Sequence, residues 1–108
     1  MTPIAFTEMN IKRAPAKGGI YTLYDGAGVI YHGHAAGEGV TIQSRLSDHI
    51  AGRDSVCTRG AWTFSWEACP DPATRDAALL AEFETRHKAL PRCNARAVAE
   101  KAAASGVS

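Results

Sequence analysis

Apolar and polar side chains alternate most regularly at residues 62–67, where Trp62, Phe64 and Trp66 interleave with Thr63, Ser65 and Glu67. A period of two is what a strand with one buried face requires, so the three aromatics are expected in the core. Two further strand-like runs, GIYTLY and VIYHG, flank the turn-forming DGAG and together predict a β-hairpin. Elsewhere the spacing becomes helical. Ile42, Leu46 and Ile50 recur every four positions and Gly52 follows as a stop, which predicts a helix over 41–50. Asp71 and Pro72 suit an N-cap and a first turn. Leu79, Leu80, Phe83, His87 and Leu90 then keep to one side until Pro91, predicting a second helix over about 72–89.

The order strand, strand, helix, strand, helix predicts an α+β domain with a small three-stranded antiparallel sheet flanked by helices. Residues 1–17 lack sustained periodicity and end in KRAPAKGG, so they read as a lead-in. The domain proper spans 18–94, and the alanine-rich stretch 95–108 reads as a tail forming a short helix that frays. With 108 residues, 45% of them hydrophobic, the chain can fill one core and is too apolar for general disorder. No run of 18 apolar residues exists, and MTPIAFTEMN lacks the basic flank and apolar stretch of a signal peptide. A soluble, cytoplasmic protein with no membrane partner is the expectation. Cys57, Cys69 and Cys93 are odd in number and widely spaced, without a Cys-x-x-Cys pair, and are expected as free thiols. The net charge is only +1, but basic residues gather at both ends, with Lys12, Arg13 and Lys17 near the start and Arg86, Lys88, Arg92, Arg96 and Lys101 near the finish.

Gly19-Ile20-Tyr21 followed by Tyr31-His32-Gly33 resembles the paired signature of the GIY-YIG endonucleases. The likeness continues through QSRLSDHI, similar to that family's arginine helix, and through Glu82, Pro91 and Asn94, similar to its metal-binding glutamate and the residues that trail it. The resemblance spans 18–94 and implies a metal-dependent endonuclease that hydrolyses phosphodiester bonds in nucleic acid, DNA foremost, with a single Mg²⁺ or Mn²⁺. It implies Glu82 as the metal ligand and Tyr21, Tyr31, Arg45, His49 and Glu82 as the catalytic set. Gly33, His34 and Asn94 would contact nucleic acid. His32 departs from the aliphatic residue usual in the family, and His34 from a lysine or other long polar residue. The alternatives are a non-catalytic nucleic-acid-binding module and a protein-interaction domain on the same fold.

Chemistry read from the residues themselves runs parallel. Phosphodiester hydrolysis needs a base for water, neutralisation of charge on the phosphorane and help for the departing oxygen. Arg45 and His49 are four apart and share one side of a helix, at the border of its apolar stripe. The plain alternative is a solvated arginine and a histidine at a core edge. At 100° per residue Glu82 falls beside the apolar stripe of its helix, whereas Glu84 falls away from it and has Lys88 four residues on, so Glu82 is the better ligand. His32, His34 and His49 could instead hold zinc, though no further ligand motif joins them. Trp62, Phe64 and Trp66 could stack on bases, but their alternation favours the core. Gly37 and Gly39 could present amides to a phosphate. A shared site for Tyr21 and Tyr31 further requires both side chains on one face of the hairpin. Paired positions then have an even sum of residue numbers. A two-residue turn at Asp25-Gly26 would give an odd sum, so the expectation is an odd loop or a bulge that restores parity.

Overall fold

The run GIYTLYD forms the central strand of the sheet because its aromatic and branched residues can be covered on both faces. In the computed structural model, which describes residues 2–105, it is β2 (Gly19–Asp25), and all of its first five residues are buried. It pairs antiparallel with β3 (Gly28–Ala35) on one side and β4 (Thr63–Ala68) on the other. The sheet has four strands, one more than the pattern predicted. A two-residue strand, β1 (Ile4–Ala5), pairs antiparallel with β4, giving the order β1-β4-β2-β3. Two residues are too few to register as an alternation, which is why the sequence showed no sustained periodicity there.

Much of 2–17 is also built into the fold. Thr7 caps α1 (Glu8–Ile11), its hydroxyl accepting from the Asn10 amide, and Phe6, Ile11 and Ala14 join the core. The expected first helix is α2 (Ile42–Ile50), closed at its start by a reciprocal capping box between Thr41 and Ser44. Ser55 caps a further one-turn helix, α3 (Val56–Arg59). The second long helix is α4 (Pro72–His87), with Pro72 in its first turn, Asp71 at the N-cap without a side-chain cap bond, and Lys88 ending it in the left-handed region at φ 64°. The alanine-rich stretch lies within α5 (Arg92–Ser105), a helix that begins before the expected tail does. The last three positions of that tail, 106–108, lie outside the described residues.

Alternation divides the sheet into two faces. Tyr21, Leu23, Tyr31, Gly33, Phe64 and Trp66 share one face, and their layer includes Ile42 and Leu46 of α2, Phe6, Ile11 and Cys93. Ile20, Thr22, His32, His34 and Ser65 share the other, which α4 partly covers across β3 and β2. Two expectations fail here. Trp62 is not core: it precedes β4, is 66% exposed and lies over the hairpin turn, where a Cβ on Gly26 would come within 2.8 Å of its ring. Nor are the cysteines all free. Cys57 of α3 and Cys93 of α5 form a disulfide with Cα atoms 5.6 Å apart, leaving Cys69 free. A separation of 36 residues carries no local spacing signal. Helical spacing and β-pairing had to bring the two together first.

Candidate active site

The hairpin places its tyrosines by a parity correction. Residue numbers of paired positions sum to 54 from Gly19/Ala35 to Leu23/Tyr31 but to 53 at Tyr24/Val29 and Asp25/Gly28. The turn itself is therefore a two-residue one at Gly26-Ala27, and one extra residue in β3, near Ile30, bulges out between Leu23 and Tyr24. The bulge restores the even sum, so Tyr21 and Tyr31 emerge on the same face, with ring centroids 6.2 Å apart. Tyr21 lies opposite Gly33, not opposite Tyr31. Only glycine fits at that position, because a Cβ would stand 2.5 Å from the Tyr21 ring and hydroxyl and 2.6 Å from the Tyr31 ring.

α2 delivers the next two groups. His49, in the last turn of the helix, is fully buried, and its Nε2 lies 2.7 Å from the Tyr21 hydroxyl. Its Nδ1 is 2.8 Å from Thr58 Oγ1 and 3.6 Å from Asp54 Oδ2. The Thr58 hydroxyl donates to the Ser55 carbonyl at 3.3 Å, and the carboxylate can only accept. Both neighbours thus take the Nδ1 hydrogen, which leaves Nε2 bare to accept from the Tyr21 O–H. Burial pulls the His49 pKa from 6.5 down to about 4; Asp54 opposes that shift and Arg45 reinforces it. The ring is neutral at pH 7.

Burial pushes the Tyr21 hydroxyl far above its usual range, Tyr31 reinforcing this and Arg45 opposing it. Burial likewise raises Tyr31. The Tyr31 and His49 rings are 5.0 Å apart. Arg45 stands beside the Tyr21 hydroxyl and spreads its guanidinium between Asp54 at 2.9 Å and Asp48 at 3.4 Å. Two carboxylates do not exhaust five N–H donors, so the fork can still meet an incoming phosphate.

The other expected site residues lie elsewhere. Glu82 is not beside this cluster: its side chain is 64% exposed, it pairs with Arg86 at 3.2 Å, and it borders a hollow lined by Val29, His32, Leu79, Phe83 and Arg86. His32 and His34 face that α4 layer, with the His32 Nδ1 bonded to Thr22 Oγ1 at 2.9 Å. Burial lowers the His32 pKa. His34 meets Asp76. Asn94 spends its whole amide on the outer edge of β3, accepting from the His32 N–H at 2.8 Å and donating to the His32 carbonyl at 2.9 Å, so it closes a sheet edge as a strand would. Thr58, Asp54 and Asp76 went unnoticed in the sequence. A hydroxyl in a four-residue helix and acids flanked by arginines look like ordinary surface residues until the fold brings them to a ring.

Among the described residues no three His, Cys, Asp or Glu side chains converge as a metal cage. No protein-family model, curated protein or solved structure matched the chain.

Proposed function

We propose that this protein is a metal-dependent endonuclease of the GIY-YIG type, hydrolysing phosphodiester bonds in nucleic acid, with DNA as the foremost substrate. The observation that carries the reading is the buried Tyr21–His49 hydrogen bond, 2.7 Å long, flanked by Tyr31 and Arg45. The Tyr21 hydroxyl is sealed from solvent, so an attacking water meets the half-buried Tyr31, and Tyr21 can take the proton Tyr31 gives up while passing its own to the neutral Nε2 of His49. Tyr21 is then a relay and His49 the acceptor, with Thr58 and Asp54 holding the ring in the tautomer the transfer needs. Arg45 neutralises charge on the phosphorane.

The residues as placed do not fit the implied ion at one site with the tyrosine cluster, because Glu82, its expected ligand, stands apart from Tyr21, His49 and Arg45 and is paired with Arg86. A lone, solvent-facing carboxylate such as Glu82 suits Mg²⁺ or Mn²⁺ that keeps its waters and takes further oxygens from phosphate. Glu82 must exchange Arg86 for the ion.

The position of Glu82, outside the tyrosine cluster, favours a second reading: a nucleic-acid-binding module that retains the fold without efficient cleavage. Incubation with duplex, single-stranded, branched and RNA substrates, with and without Mg²⁺ or Mn²⁺, separates the two. The nuclease reading expects metal-dependent nicking by the wild type, its loss in Glu82→Ala and its retention in Glu84→Ala. Arg45→Lys should lose about a hundredfold in rate, the usual scale for one electrostatic stabiliser. Salt-sensitive binding without any cutting would establish the second reading instead.

A further inference from the structure

α4 has one fully buried side chain, and it is a carboxylate. Asp76 is 5% exposed, whereas the apolar Leu79, Leu80 and Phe83 of the same helix are only half covered. A carboxylate removed from water is costly unless its oxygens find donors. Only one does: Oδ2 lies 2.6 Å from His34 Nδ1, while Oδ1 is buried with no hydrogen-bond partner among the described residues. A half-satisfied buried charge packs worse than an apolar side chain would, so stability does not account for an aspartate here.

What the carboxylate does is hold a ring. The His34 side chain is 41% exposed, and Nδ1 is the ring nitrogen that meets Asp76. β3 is an edge strand, and the charge of Asp76 reaches Tyr31 on the opposite face, adding a little to the upward push that burial chiefly exerts on that hydroxyl. Asp76 and His34 thus meet on the α4 side of β3, with the tyrosine cluster on the opposite face of the sheet.

The geometry points to Asp76 as a positioning residue for His34: it accepts the Nδ1 hydrogen, fixes ring and tautomer, and turns Nε2 outward as the contact to a phosphate flanking the one at Tyr21. Because His34 and Tyr21 face opposite sides of the sheet, the phosphate His34 meets is a neighbour along the backbone as it crosses the β3 edge. The inference rests on the nuclease reading for the identity of this ligand.

The test uses the full chain as wild type, Asp76→Leu, Asp76→Asn, His34→Gln and the double variant Asp76→Leu with His34→Gln. Side-chain ¹⁵N spectra, recorded at a pH where the ring is neutral, should place the His34 hydrogen on Nδ1 in the wild type and move it to Nε2 in Asp76→Leu. Asp76→Leu should melt at or above the wild-type temperature. Its affinity for an uncleaved phosphorothioate duplex should fall roughly threefold to tenfold, as in His34→Gln, with the double variant no weaker than either. A wild-type ring carrying its hydrogen on Nε2, a drop of more than about 5 °C in both Asp76 variants, or unchanged duplex affinity in Asp76→Leu would each overturn the role. A wild type that neither cuts nor binds defeats the nuclease reading and the phosphate contact, whereas the tautomer and melting data, needing no substrate, still decide whether Asp76 positions His34.

Discussion

His49 couples the candidate chemistry to the stability of the fold, because the burial that keeps its Nε2 free of a proton also makes charging the ring costly. Its folded pKa of about 4 lies below the 6.5 of an exposed histidine. Between those two values the unfolded chain binds more protons than the folded one. The stability that follows is fully present above pH 6.5 and drains away as pH falls toward 4. The loss is on the order of 3 kcal/mol, and urea unfolding of wild type and His49→Gln across that range should show the two curves converging as pH falls. Parallel curves would mean the ring titrates normally. Gly33 offers a second handle at this scale. Gly33→Ala drives a methyl into both tyrosine rings. It should cost about 1–3 kcal/mol, alter the near-ultraviolet tyrosine signal and abolish cleavage, and wild-type activity in that variant would show that the ring arrangement is dispensable.

At the scale of elements, α3 shows how much of the site hangs on a piece too short to stand alone. Four residues cannot sustain a helix unaided. Its Thr58 nevertheless orients His49, and the neighbouring Cys57 is tied to Cys93, one residue before the Asn94 that clamps β3. Closing a loop of 36 residues stabilises by about 4 kcal/mol through the unfolded chain. Reduction, or Cys57→Ser with Cys93→Ser, should therefore lower the urea midpoint and speed amide exchange in α3 before the sheet is affected. Identical midpoints for oxidised and reduced protein would contradict this. The elements that were legible in the sequence were those long enough to repeat a period: the hairpin, α2, β4 and α4. The illegible ones, β1, α1 and α3, span two to four residues each and are signalled by single capping residues, Thr7 and Ser55, that have many other uses. Within the site, the resemblance to the GIY-YIG signature grouped Tyr21, Tyr31, Arg45 and His49 in advance, whereas helical spacing by itself put only Arg45 and His49 on one side. The remoteness of Glu82 could not be read in advance, because spacing fixes a residue's side of its own helix and not which face of the sheet that helix covers.

For the whole molecule, a radius of gyration of 13.5 Å matches the value of about 13 Å expected for one compact unit of this length. The described residues include no helix long and apolar enough to cross a membrane. A net charge of +1 gives little general attraction to a polyanion, so binding must draw on local groups such as Arg45 and Arg53, themselves partly neutralised by Asp48 and Asp54. We expect the logarithm of duplex affinity to fall with the logarithm of salt concentration at a slope of about −3, corresponding to few phosphates. Fluorescence anisotropy over a salt series measures it. A slope near zero would remove nucleic acid as the partner.

The bulge in the hairpin also sets a rule for how this chain can diverge. One residue gained or lost between Tyr24 and Val29 would turn the outer half of β3 over unless the bulge disappeared with it, sending Tyr31 and Gly33 toward α4 and His32 and His34 into the core. Two residues gained would lengthen the tip and leave the tyrosines where they are. Among descendants that keep this site, length variation at the hairpin should come in even steps, and an odd step should mark a lineage that has rebuilt the bulge or abandoned the chemistry.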